Sequence, residues 1–164
     1  MTETRTVHYE DPLIGARKAL GMSGLDYLQA IKRGEIPPPP ITVLMNMTLD
    51  HVEKGRAVFG LDPDTSLYNP IGAVHGGAIC TVLDSVTGCA VHSTLERGWG
   101  YTSIEIKVNY LRGTTADSGH LTATGIVRKG GSRVAFAEAE LVDEQGRLIA
   151  TASSTLLVFE LRTP

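Results

Sequence analysis

Asp84 is the residue that most invites a chemical reading. Between Thr65 and Leu95 it is the one side chain with a formal charge, His75 and His92 aside. It sits in the stretch 76–92, GGAICTVLDSVTGCAVH, whose apolar residues fall on every side of a helix and whose other polar residues are mostly small. A helix that is apolar all round is one that other elements enclose. A carboxylate in such a place is costly unless a partner or a reaction accounts for it, and Asp is a mediocre helix-interior residue. The plain account is a solvent strip, or a hydrogen bond with Thr81, Ser85 or a neighbouring strand. The chemical account is a general base or a nucleophile. Just upstream, Gly72-Ala73-Val74-His75-Gly76-Gly77 forms the entrance to this helix. The first N–H groups of a helix lack partners and carry partial positive charge. Glycine there leaves no Cβ to hold a carbonyl oxygen away. Such a terminus can stabilise the oxyanion that develops during acyl transfer; tight packing is the other common use of paired glycines.

The elements that must position these groups can be read from periodicity. Ser23-Gly24-Leu25-Asp26 opens a short amphipathic helix carried by Leu25, Leu28 and Ile31 and stopped at Gly34. Residues 1–22 pattern weakly, and Pro37 to Pro40 predict an extended spacer. From Ile41 the pattern turns to strands: 43–51 and 54–62, joined at Glu53-Lys54-Gly55. The helix over 76–93 follows, then a strand in which Ile104, Ile106, Val108 and Tyr110 alternate with Glu105, Lys107 and Asn109. A hairpin over 119–129 and 132–143 and a last strand over 147–159 complete the series. The order β-β-α-β-β-β-β predicts an α+β domain with one long helix against a curled antiparallel sheet. The expected division is an N-terminal arm, 1–40, and a domain, 41–164.

Taken together, Asn69, His75-Gly76-Gly77 and Asp84 resemble the signature of the phenylacetic-acid-degradation (PaaI-like) branch of hot-dog thioesterases: an Asn, HGG six residues later, then an acidic residue on the next helix. The run Tyr101 to Tyr110 looks like that family's third strand, and Asp143 to Ala150 like its last hairpin. The likeness covers about residues 41–159 and leaves out the arm. What it implies is a hot-dog fold, assembled as a dimer and commonly as a tetramer of two dimers. The implied activity is hydrolysis of an acyl-CoA thioester at sites on the dimer interface. In that scheme Asp84 is the base or nucleophile, the latter through a transient anhydride. Gly76 N–H polarises the thioester carbonyl, and Asn69 orients the attacking water or the carbonyl. Asn69 and Gly76 come from one subunit, Asp84 and Ser103 from its neighbour. Either Thr102 or Ser103 supplies a hydroxyl beside the carboxylate.

Each of these residues also has an ordinary structural reading. Asn69 before Pro70 suits a turn, Ser103 can be a plain strand hydroxyl, and His75 either braces the loop or acts on substrate together with Gly77. For CoA phosphates the candidate is the basic turn Arg128-Lys129-Gly130-Gly131-Ser132-Arg133, whose glycines expose backbone N–H groups. A charged hairpin tip is otherwise simply solvated. Arg112 is a lesser candidate. The acyl pocket is expected between subunits, with the arm from Leu25 to Ile41 as a further wall.

Composition narrows the alternatives. At 164 residues the chain suits one domain with a real core. A net charge of −3 argues against a general nucleic-acid binder. No apolar window reaches the roughly 18 residues of a membrane span, and MTETRTVHYEDPLIG contains no secretion-signal core. Cys80 and Cys89, on one helix about 13 Å apart, are too distant for a disulfide and read as reduced thiols in a cytoplasmic protein. His8, His51, His75, His92 and His120 show no zinc-ligand spacing, so neither metal nor cofactor is expected. Two rival functions share the expected fold. A dehydratase acting on 3-hydroxyacyl thioesters would need a His–carboxylate pair in another context, and a non-catalytic acyl-CoA-binding domain would lack turnover.

Overall fold

The structure is a computed structural model and describes residues 2–161. Its centre is the helix α4, Gly76–His92, and the sequence reading placed it to within one residue. Val82, Leu83, Val86, Ala90 and Val91 on it are fully buried. Before it come α1 (Pro12–Ala19), α2 (Gly24–Lys32), α3 (Pro40–Leu44), β1 (Met47–Glu53) and β2 (Arg56–Leu61). After it come β3 (Trp99–Tyr110), β4 (Leu121–Lys129), β5 (Val134–Val142) and β6 (Leu148–Glu160). The six strands form one antiparallel sheet in the order β1-β2-β4-β5-β6-β3, and α4 packs across its inner face. This is the α+β hot-dog architecture expected above. Among the described residues no helix is long and apolar enough to cross a membrane.

Two glycines let α4 and the sheet approach closely. A Cβ on Gly125 of β4 would lie 2.5 Å from the Val86 carbonyl oxygen, and one on Gly88 would lie 2.7 Å from the Tyr101 hydroxyl. The Gly125 neighbour is helix backbone, which cannot swing aside. Gly125→Ala is therefore expected to lower stability by about 1–3 kcal/mol through overpacking. A melting temperature unchanged from wild type would show that the helix shifts at no cost.

β3 carries a bulge between Ser103 and Glu105 in its pairing with β6. Ser103 and Tyr110 are an odd number of residues apart, so a regular strand would point them to opposite faces. The extra residue, Ile104, resets the alternation, and both side chains reach α4. Among the described residues β3 pairs only with β6, so its other side is a free edge of 12 residues.

The N-terminal part is more ordered than its sequence suggested. Ser23 caps α2 by accepting from Asp26 N–H, as expected, and Leu28, Ala30 and Ile36 are buried. The weakly patterned residues before it contain α1, capped by Asp11 and entered through Pro12. The strand expected over 43–51 begins only at Met47, because residues 40–44 form α3 with Pro40 in its first turn. Pro37–Pro39 is the extended spacer, and Pro40 is not part of it. Arg5 ties the start of the chain down through Asn46 Oδ1 (2.6 Å) and Asp64 (3.2 Å).

Candidate active site

The entrance to α4 is built by its own loop. His75 is the N-cap, and its Nδ1 accepts from Gly77 N–H at 2.8 Å, while its backbone N–H donates to Leu67 O at 2.8 Å. The histidine braces the turn, and the Gly77 amide is taken by it. Gly76 N–H, by contrast, has no acceptor among the described residues. Tyr110 of β3 donates to Gly76 O at 2.9 Å and fixes this first turn from below. Asn69 Oδ1 accepts from Ile71 N–H (3.0 Å) and Ala73 N–H (3.1 Å), which shapes the approach to the helix. Asn69 Nδ2 has no partner among the described residues, so the amide donor is open to a ligand.

The carboxylate lies two turns further on. Ser103 Oγ donates to Asp84 Oδ1 at 2.7 Å. Thr102 lies on the opposite face of the pleat, exposed, so of the two adjacent hydroxyls it is Ser103 that meets the carboxylate. Among the described residues Asp84 has no ion-pair partner. It is half-buried and faces a cavity of about 880 Å³. Ser85, Cys89 and His92 of α4 line the same cavity, as do Tyr101 and Ser103 of β3. Its remaining walls come from β1–β2, through Met47, Leu49 and Phe59, and from the arm, through Leu20, Tyr27, Leu28, Ile31 and Pro39. The arm as a wall was expected from Leu25 onward; the contribution of α1 was not, since the Asp11-Pro12 start is followed by no apolar stripe.

Three polar groups of the cavity, Cys89, His92 and Tyr101, are neutral. Burial pushes the Cys89 thiol up to about 12 and His92 down to about 4, and it holds the Tyr101 hydroxyl well above its ordinary value. Cys89 and Cys80 are free thiols, as read from their separation. Asp84 is the one carboxylate that lines this cavity, and Arg17 of α1 and Lys32 of α2 also belong to its lining.

The basic turn is elsewhere. Arg128 is paired with Glu138 at 2.7 Å, and Lys129, Gly130, Gly131 and Ser132 are exposed on the β4–β5 tip. None of them lines the cavity. The tip sits beside the β1–β2 turn, where Val127 N–H donates to Gly55 O at 2.9 Å.

Within one chain, Gly76 and Asp84 are separated by eight residues of rigid helix, or about 12 Å along its axis. One thioester carbonyl cannot touch both. A helix terminus that binds a carbonyl and a carboxylate that attacks it must therefore come from two copies, if they act together.

Comparison with known proteins follows the same lines. The thioesterase superfamily model matches residues 71–150, from Ile71, just after Asn69-Pro70, into β6. The medium/long-chain acyl-CoA thioesterase YigI of Escherichia coli K12 is 33% identical over 134 residues, covering 73% of this chain and 85% of that protein. Human acyl-coenzyme A thioesterase 13 is 30% identical over 115 residues, covering 69% and 80%. In structure, a phenylacetic acid degradation-related protein of Ralstonia eutropha JMP134 aligns with a TM-score of 0.73 at 28% identity, covering 80% of this chain and 98% of that one. With fold, motif region and relatives in agreement, the chain belongs to the thioesterase superfamily, in its hot-dog, PaaI-like branch, and is a thioester hydrolase.

Proposed function

We propose that the chain hydrolyses acyl-CoA thioesters at sites shared between two copies of itself. The observation that carries this is the separation of about 12 Å between the open Gly76 N–H and Asp84 on one helix. The thioester carbonyl lies at Gly76 N–H of one subunit, with Asn69 Nδ2 beside it, and Asp84 of the other subunit faces the carbonyl carbon. Ser103 holds Oδ1, which leaves Oδ2 to take a proton from the attacking water. Hydroxide adds to the carbonyl carbon, and the negative charge moves to the carbonyl oxygen against the helix terminus. Collapse of the tetrahedral intermediate breaks the C–S bond and releases the acid and the CoA thiolate, which takes the proton held on Asp84 and so restores the carboxylate.

The free edge of β3 supports pairing. A long unpaired strand invites a second copy, and Trp99, Ile104 and Tyr110 on it are exposed. A dimer joined there, doubled into a tetramer, is the assembly proposed. Residues 41–164 form the catalytic domain in this reading, and 1–40 are an arm that closes the acyl cavity. The CoA phosphates are assigned to the exposed turn with Lys129, Gly130, Gly131, Ser132 and Arg133, where Arg128 is held by Glu138. A panel of acyl-CoAs assayed by free-thiol release, alongside sedimentation, tests the whole. The expected result is turnover of CoA thioesters by a dimer or larger species. Full activity from a monomer, or no turnover across aliphatic and aryl CoAs, overturns it.

A further inference from the structure

The first turn of α4 opens with the least restrained residues a helix can have. Gly76 and Gly77 are its first two residues, and glycine visits more backbone conformations than any other residue. A donor aimed at an oxyanion helps most when its direction is set before the charge develops, so this turn has to be held still. The Gly76 N–H belongs to the peptide between His75 and Gly76. That plane is held at its other end, where His75 O accepts from Ala78 N–H (2.9 Å) and Ile79 N–H (3.3 Å). The next plane, between Gly76 and Gly77, is held at both ends. Its N–H donates to His75 Nδ1, and its carbonyl accepts from the Tyr110 hydroxyl at 2.9 Å. With both planes fixed, the two soft dihedrals of Gly76 between them are fixed as well.

Among the described residues, Tyr110 is the one side chain from outside α4 and its entrance loop that bonds this glycine pair. Its ring also fills the space that Gly76 leaves open: a Cβ there would lie 3.3 Å from Cε1 and Cζ and 3.4 Å from Oη. The strand beneath is itself anchored. Tyr110 pairs with the buried Ala150 of β6, and the N–H groups of Leu111 and Arg112 both donate to O of the buried Ile149. β3 thus meets α4 at two points of the site, at Ser103 beside the carboxylate and at Tyr110 beneath the entrance. The bulge at Ile104 lets one strand serve both, since it brings the two side chains to one face.

Resting on the thioesterase reading, we infer that Tyr110 is a positioning residue of the reaction: its hydroxyl, through the Gly76 carbonyl, keeps Gly76 N–H aimed at the oxyanion. The single proton of that hydroxyl is spent on Gly76 O, so Tyr110 acts through the peptide and not on the substrate carbonyl. A fixed entrance matters most in the transition state, when the oxygen carries the developing charge, and least for binding the neutral thioester. Tyr110 therefore bears on kcat more than on KM.

Tyr110→Phe tests this, because it keeps the ring under Gly76 and removes only the hydroxyl. The substrate is the acyl-CoA of the panel above that wild type turns over fastest. In the variant kcat is expected to fall about fivefold to tenfold, with KM within about twofold of wild type and the same sedimentation. A second measurement uses the ketone analogue of that substrate, with CH2 in place of the thioester sulfur and an isotopically labelled carbonyl, which binds but is not hydrolysed. Its carbonyl stretch should drop in frequency on binding to wild type and drop less on binding to Tyr110→Phe. The frequency reports the field at the bound carbonyl whatever fraction of the protein is folded, so a merely structural role does not move it. An unchanged kcat, a loss confined to KM, or the same carbonyl frequency in both proteins overturns the inference and leaves the thioesterase reading standing. No turnover across the panel overturns both.

Discussion

Asp84→Ala is expected to fold as wild type does and to lose about a thousandfold in kcat, within the range of 10²–10⁴ typical for removing a general base. The side chain has one protein hydrogen bond, from Ser103, and no ion pair among the described residues. Removing it orphans a single hydroxyl next to an open cavity and leaves no buried countercharge behind. That is a small structural loss, and taking a lone charge off a largely apolar helix offsets part of it. Ser103→Ala supplies the contrast. It leaves the carboxylate in place but unheld at Oδ1, so kcat should fall only about tenfold, the worth of one hydrogen bond to a charged group. Thiol-release kinetics and a melting curve on both variants decide the matter. A folded Asp84→Ala protein with near-normal kcat, or a Ser103→Ala loss as large as that of Asp84→Ala, means that the carboxylate is not the base.

How much of this was legible beforehand depended on whether a group's role is local. The helix over 76–92 declared itself because its apolar residues cover every side, and Asp84 stood out against that background. The turns at Lys54-Gly55 and Gly146 marked where strands end. What the chain concealed was set by distant contacts. Nothing in a strand's alternation announces a bulge, so the choice between Thr102 and Ser103 stayed open until Ile104 was seen to stand out of register. In α1 the one buried residue is Gly15, which sits under the Tyr27 hydroxyl. A helix held by a cap, a proline and one close approach has no apolar stripe for periodicity to detect. α3 was hidden by its neighbours: a proline run reads as extended, yet its last member is also a good first residue for a helix. The tyrosines and histidine at the far end of the cavity come from three separate segments, and no spacing connects them.

Mixing two inactive variants should restore activity, and this is the sharpest consequence of a site divided between subunits. Asp84→Asn lacks the base but keeps an intact helix entrance, while Asn69→Ala weakens that entrance and keeps the base. In a homodimer of either, both sites are damaged. In a heterodimer one site collects both substitutions, and the other pairs an unaltered Asn69 and Gly76 with an unaltered Asp84. Random reassortment makes half of the dimers mixed, each with one good site of two, so about a quarter of wild-type activity should return. If each chain instead completed its own site, every site in the mixture would carry one lesion, and the activity would be the mere average of the two parents. The helix geometry favours the first outcome: about 12 Å separates Gly76 from Asp84 on one rod, and a carbonyl group spans about a tenth of that. Co-refolding from denaturant, rather than simple mixing, ensures that exchange occurs, and activity that never rises above the parental average would place the whole reaction within one chain.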